Sequence, residues 1–206
     1  MMYIISGHHF NEFKVKGSLF KSYTYEVNHI IDIKEKISQL ENRFSDASHI
    51  CYAYRICNAD NLDLFYNPEI IEFSTDAGEP SGTAGKPILN TLKKTKIINR
   101  IIFVVRYFGG TKLGIPGLIK SYKYASESVL ENAEYKKWIL LKELNLELNY
   151  KYHKMIDKII YDYDGKVLKS DFSDTVSLNI EIPCKKIIDF KKEIIEKSNG
   201  TIQLIE

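Results

Sequence analysis

The hydrophobic positions of this chain follow two periods, and the switches between them lay out its elements. Leu144, Leu146 and Leu148 alternate with Asn145, Glu147 and Asn149, the period of a strand with one face buried. Met155, Ile156, Ile159 and Ile160 then recur at helical spacing. Asp164-Gly165 breaks the chain. Val167 opens an extended segment, and Val176, Leu178, Ile180 and Ile182 alternate in another, the two joined near Ser173-Asp174 as a hairpin. After Pro183, Ile187, Ile188, Phe190, Ile194 and Ile195 mark a second helix, which Asn199-Gly200 stops. Ile202 and Leu204 fall in a last strand. The order β-α-β-β-α-β is that of a ferredoxin-like module, and the spacing predicts a separate domain over 143–206.

Residues 1–140 are mixed as well. The pattern predicts a strand pair within Phe13 to Val27 that turns near Lys16-Gly17-Ser18. Ile30, Ile33, Ile37 and Leu40 share one helical face. Ile50 to Ile56 reads as a strand, with a polar loop from Asn58 to Asn61. Ile88, Leu89 and Leu92 belong to a short helix. Ile101 to Tyr107 is apolar on both faces, as a central strand is. Leu118, Tyr122, Ala125 and Val129 give a long helix reaching about Glu134. The fold class is therefore α+β with two domains, 1–140 and 143–206.

Composition narrows the picture little. The chain has 206 residues, 44% hydrophobic and 27% charged, which is ordinary globular usage. Three cysteines are too few for a disulfide scaffold. Cys51 and Cys57 are six apart in one strand, about 20 Å, too far to pair. The longest aliphatic and aromatic run, Ile101 to Val105, is too short to span a bilayer. Met1 to Phe10 lacks the basic and apolar regions of a secretory signal. These features lead us to expect a soluble, cytoplasmic protein with reduced thiols and no membrane partner.

Charge changes the picture more. The net is only +2, yet residues 59–80 hold six acids and no base, and residues 81–126 hold nine bases and no acid. A basic block of that kind suits phosphate or nucleic acid. Two glycine loops lie in it or run into it. The first, Asp76 to Pro87, opens a helix that Ser81 or Thr83 can cap, and free N–H groups there attract anions beside Lys86. It is not a Walker loop, because proline stands at positions 80 and 87. The second, Arg106 to Gly117, leaves the buried strand and enters the long helix. Gly109-Gly110 permits unusual backbone angles, Arg106 and Lys112 bracket the glycines, and Lys120 follows in the helix. Tyr107 and Phe108 can stack on bases, or one of them can plug the core. The spacing of a dinucleotide fold is absent. The expected anion or nucleic-acid site is thus Ser81, Gly82, Thr83, Gly85, Lys86, Arg106, Tyr107, Phe108, Gly109, Gly110, Lys112, Gly114 and Lys120.

Asp76 and Glu79 stand as acidic partners of that site. An enzyme reading makes them a carboxylate pair acting on a phosphate ester with Mg²⁺ opposite Lys86 or Arg106. The five histidines form no catalytic pattern, and neither H-E-x-x-H nor G-x-S-x-G occurs. The residues favour binding over catalysis, without a metal or cofactor.

The segments EPSGTAGKPIL and RYFGGTKLGIPGLIKSY, with Lys16 to Phe20 and His49 to Arg55, resemble the signature segments of the IMPACT/YigZ family. Departures are Thr75 for an acid, Ala77 inserted before Gly78, Ile115-Pro116 for a small-residue pair, and Lys120-Ser121 for Arg-Ala. The resemblance implies a first domain like domain two of small-subunit ribosomal protein five and a second like a ferredoxin-like domain of elongation factor G. Eukaryotic relatives regulate translation by binding a partner protein. The expectation is an RNA- or ribosome-binding protein acting in translation, or a protein-interaction regulator without nucleic-acid contact.

Overall fold

The computed structural model describes residues 1–205, apart from the side chains of Asp60, Gln203 and Ile205. The architecture is mixed, with three sheets and five α-helices among the described residues. The chain divides into two compact units. One is Met1–Asn58 with Glu69–Trp138; the other is Ile139–Glu206 with the hairpin end Ala59–Pro68.

The first unit contains β1 (Met2–Ile5), β2 (His9–Val15), β3 (Ser18–Glu26), α1 (Ile30–Arg43), β4 (His49–Leu62), β5 (Pro68–Thr75), α2 (Gly85–Thr95), β6 (Arg100–Tyr107), α3 (Gly114–Ser128) and β7 (Tyr135–Trp138), with the β4–β5 turn lying in the second unit. Its main sheet has the order β2-β3-β6-β4-β5. β6 is the middle strand, antiparallel to β3 and β4. This accounts for its unbroken apolar run, because helices cover both of its faces. Ile102 and Val104 pack with Ile88 and Leu92 of α2 and Leu118, Tyr122 and Ala125 of α3. Ile101, Phe103 and Val105 pack with Ile33 and Leu40 of α1.

Several boundaries differ from the pattern. β4 continues through residues 58–62, polar at Asn58, Asp60 and Asn61, since cross-strand pairing with β5 satisfies their backbone whatever their side chains. α3 ends at Ser128 rather than near Glu134. The residues beyond it make a turn and then pair β7 with β1 in a small two-stranded sheet that the alternation does not signal. The α2 cap is neither Ser81 nor Thr83. Ala84 holds the cap position without a side-chain bond, and the Thr83 hydroxyl instead donates to the Pro80 carbonyl at 2.6 Å.

The second unit runs β8 (Leu141–Leu148), α4 (Tyr150–Asp162), β9 (Lys166–Phe172), β10 (Val176–Pro183), α5 (Ile187–Ser198) and β11 (Gln203–Ile205), in the sheet order β11-β8-β10-β9. Leu144, Leu146 and Leu148 of β8 and Val176, Leu178 and Ile180 of β10 bury one face against Ile156, Ile159 and Ile160 of α4 and Phe190 and Ile194 of α5. Asn199, with φ 51°, and Gly200, with φ 72°, end α5 in the left-handed region.

Candidate anion-binding site

Register brings distant segments to one end of the five-stranded sheet. Arg106, near the end of β6, lies between Phe20 of β3 and His49 of β4. The starts of β3 and β4 therefore flank the point where the second glycine loop departs. The first loop, following β5, reaches the same end, where His49 Nδ1 lies 2.9 Å from the Ala77 carbonyl.

Glu79 joins the two loops. Its side chain is 3% exposed. Its Oε1 accepts from Arg106 Nη1 at 2.6 Å and from the Tyr122 hydroxyl at 2.8 Å, and His49 Nε2 stands 3.9 Å away. Arg106 Nη2 reaches Ser18 Oγ at 3.3 Å, and that oxygen also accepts from the Gly109 amide at 3.2 Å. The guanidinium lies against the rings of Phe20 and Phe108. A buried carboxylate needs such a partner, because an unpaired charge at this depth costs on the order of 3–5 kcal/mol. Cys51 sits beneath, donating to the Asp76 carbonyl at 3.0 Å. Burial pushes its thiol up to about 12 and holds the Tyr122 hydroxyl well above its ordinary value. A thiol that stays protonated at neutral pH is not a nucleophile.

The first loop already holds an anion, and it comes from the chain itself. Asp76 Oδ1 accepts from the amides of Ala84 and Gly85 at 2.9 and 2.8 Å, and Oδ2 from the Gly82 amide at 2.8 Å. Burial alone would raise the Asp76 pKa; the three amides outweigh it, and the carboxyl lies below its ordinary value. Gly85 is needed here for space: a Cβ would come within 2.8 Å of the Thr75 backbone. The N–H groups of Gly82 and Gly85 expected to bind an external anion are therefore occupied. Asp76 and Glu79 are equally committed, one to amides and the other to Arg106 and Tyr122, and do not form a free carboxylate pair for Mg²⁺ chemistry. Arg106, expected to face an anion, is buried and paired instead.

The second loop is open. Phe108, Gly109, Gly110, Lys112 and Gly114 are all exposed. The loop is anchored at its base and by Leu113, which packs on the core. The Phe108 amide donates to Ser48 Oγ at 3.0 Å, and Gly109 packs so closely on the β2–β3 turn that a Cβ would lie 1.8 Å from the Gly17 carbonyl carbon. The choice between the two aromatics resolves: Tyr107 packs on the α1-side core and donates to Asp46 at 3.0 Å, while Phe108 is 49% exposed.

Of the nine bases in residues 81–126, Arg100 and Arg106 are buried and the seven lysines are exposed. Lys86, Lys112 and Lys120 have no carboxylate partner among the described residues. Lys93 pairs with Glu72 at 2.6 Å. A groove of about 620 Å³ runs between α2 and α3, lined by Lys86, Asn90 and Lys94 on one side and Ile119, Lys123 and Glu127 on the other. Motifs do not single out Asn90, Lys94 and Lys123, because these residues lie outside the glycine loops. The signals available for them are the spacing of four along α2 and a place in the acid-free block. Ser18, His49, Cys51 and Tyr122 likewise carry no catalytic or binding motif of their own, although all four fall in the family-like segments Lys16–Phe20, His49–Arg55 and Arg106–Tyr122.

The family described as the Impact N-terminal domain matches residues 16–130, a span that contains both loops and the groove. The chain is 29% identical over 192 residues to the IMPACT family member YigZ of Escherichia coli, covering 93% of this chain and 91% of that protein. It is 29% identical over 198 residues to an IMPACT family member of Haemophilus influenzae, with 95% and 92% covered. A crystal structure of a hypothetical protein superposes with a TM-score of 0.63 at 27% identity, over 100% of this chain and 97% of that one. No helix among the described residues is long and apolar enough to cross a membrane.

Proposed function

This chain belongs to the IMPACT family, and we propose that it is a cytoplasmic RNA- or ribosome-binding protein that acts in the regulation of translation through the lysine-rich face of its first unit. The observation that carries the reading is that Lys86, Lys112 and Lys120 are exposed and without a carboxylate partner among the described residues, in a stretch of 46 residues that contains no acid. Lysines without internal partners attract phosphate at long range and release its counterions on contact. Phe108 adds a ring on which a base can stack. Within this proposal the chain is two domains, 1–140 and 143–206. The first is like domain two of small-subunit ribosomal protein five, and the second is like a ferredoxin-like domain of elongation factor G.

Binding of single-stranded RNA across a salt series tests the reading. Each phosphate contact contributes about −0.7 to the slope of log affinity against log salt. Lys112→Ala and Lys120→Ala should each flatten the slope by about that amount while thermal melting stays put. Absence of wild-type binding at low salt overturns the proposal. A second reading, a protein partner, draws on Ile115 and Ile119, which are 59% and 40% exposed on the same loop and helix. Such an interface would bind with little dependence on salt.

A further inference from the structure

In the groove between α2 and α3, two of the three lysines, Lys94 and Lys123, converge on a single exposed acid of the chain. Glu127 Oε1 lies 3.8 Å from Lys94 Nζ and 3.9 Å from Lys123 Nζ, and the three side chains are substantially exposed, at 40%, 76% and 56% in that order. Distances of that size are beyond hydrogen bonding, and exposed pairs of this kind contribute little. The carboxylate is therefore a weakly held anion among cations. Lys86 and Asn90 stand on the same wall as Lys94, and Ile119 gives the other wall an apolar surface. Thr91 lines the groove between the walls, and its hydroxyl is bonded to that of the buried Ser126 at 2.7 Å. The volume lies within the ~300–1,000 Å³ typical of small-ligand sites, room for a nucleotide unit.

We propose that this groove is the principal phosphate subsite of the first unit, that it takes the backbone phosphate of a single-stranded RNA between Lys94 and Lys123, and that Glu127 occupies the phosphate's place in the unbound protein. The inference rests on the RNA-binding reading above. It moves the main contact from the first glycine loop, whose amides Asp76 fills, to the helix faces beside it. Ligand phosphate displaces the Glu127 carboxylate, so Glu127 sets a threshold that weak anions do not pass. Charge complementarity selects the ligand: the groove carries three lysines against one acid.

The experiment compares the full chain with Glu127→Gln and with Glu134→Gln, which removes the same charge outside the groove. Fluorescently labelled oligouridylate is titrated over a potassium chloride series. Glu127→Gln should bind about two- to fivefold tighter at low salt, the worth of an exposed ion pair. Its salt slope should steepen by about 0.7, because the lysines then meet the phosphate with one more uncompensated charge. Glu134→Gln should keep the parent slope. Lys94→Ala should flatten the slope by the increment that Glu127→Gln adds, and the two changes should not be additive in the double variant. Equal behaviour of the two glutamine variants, with wild type binding normally, overturns the groove and leaves the RNA-binding reading standing. Absence of wild-type binding at low salt overturns both. Thermal melting should be alike in all five proteins, because the Glu127 side chain holds only these two weak ion pairs among the described residues.

Discussion

The two glycine loops are alike in sequence and opposite in state. Both follow a strand, open a helix and carry lysine. The first is closed by the chain's own carboxylate, three amides converging on Asp76. The second is fixed at its base by Ser18, Ser48 and the Gly17–Gly109 contact, and its tip remains open. A glycine-rich turn with a nearby cation is thus not enough to mark an external anion site. What decides is whether an acid within reach fills the amides first, and in the first loop that acid lies six residues before Gly82.

The sharpest contrast should come from stability. Glu79→Ala leaves the buried Arg106 unpaired and should cost about 3–5 kcal/mol by urea unfolding. Lys112→Ala, on the open loop, should stay within about 0.5 kcal/mol of the parent. A small loss in Glu79→Ala would mean that Arg106 finds water, and that the junction of the loops is not closed.

Glycine placement gives a second contrast, inside one loop. Gly109→Ala drives a Cβ into the Gly17 backbone and should cost about 3 kcal/mol. Gly110→Ala meets nothing within 4 Å and carries only the strain of its φ of +85°, about 1–2 kcal/mol. Equal costs would show that the β2–β3 turn does not brace the second loop.

Next in size is Asp76. Asp76→Ala leaves three amides without their acceptor and should cost about 2 kcal/mol, at the upper end for a lost helix cap. Because the folded pKa is depressed, this contribution is complete at neutral pH. It fades as pH falls below the unfolded value of about 3.9 and through the folded value. An acid titration of stability should therefore be shallower in Asp76→Asn than in the parent. Identical acid limbs would separate Asp76 from the amides.

Much of the fold is legible in the sequence because period alone carries it. Val176, Leu178, Ile180 and Ile182 alternate and are buried; Asn179 and Glu181 between them are not. Ile101 to Val105 reads as a central strand and is one. The β1–β7 pair is not legible, because Tyr135 to Trp138 is a four-residue, mostly exposed strand with no apolar alternation. The site is legible as two segments but not as an electrostatic state. Sequence places Asp76, Glu79, Lys86 and Arg106 in neighbouring segments and leaves their pairing open. The register of β3, β4 and β6 sets Arg106 between Phe20 and His49, and the loop after β5 brings Glu79 to it, with both buried. The same limit hides the groove, since Lys94 and Lys123 are 29 positions apart and meet across two helices.

Filling of the first loop from within, with the second loop and the neighbouring lysines left open, is tested most directly by amide chemical shifts in the full chain, followed while oligouridylate is added at low salt. The signals of Gly110, Lys112 and Lys120 should move on binding, and those of Ala84 and Gly85, already bonded to Asp76, should hold their positions. Movement of Ala84 and Gly85 together with loss of their bonds to Asp76, while Gly110 and Lys112 stay still, would contradict it.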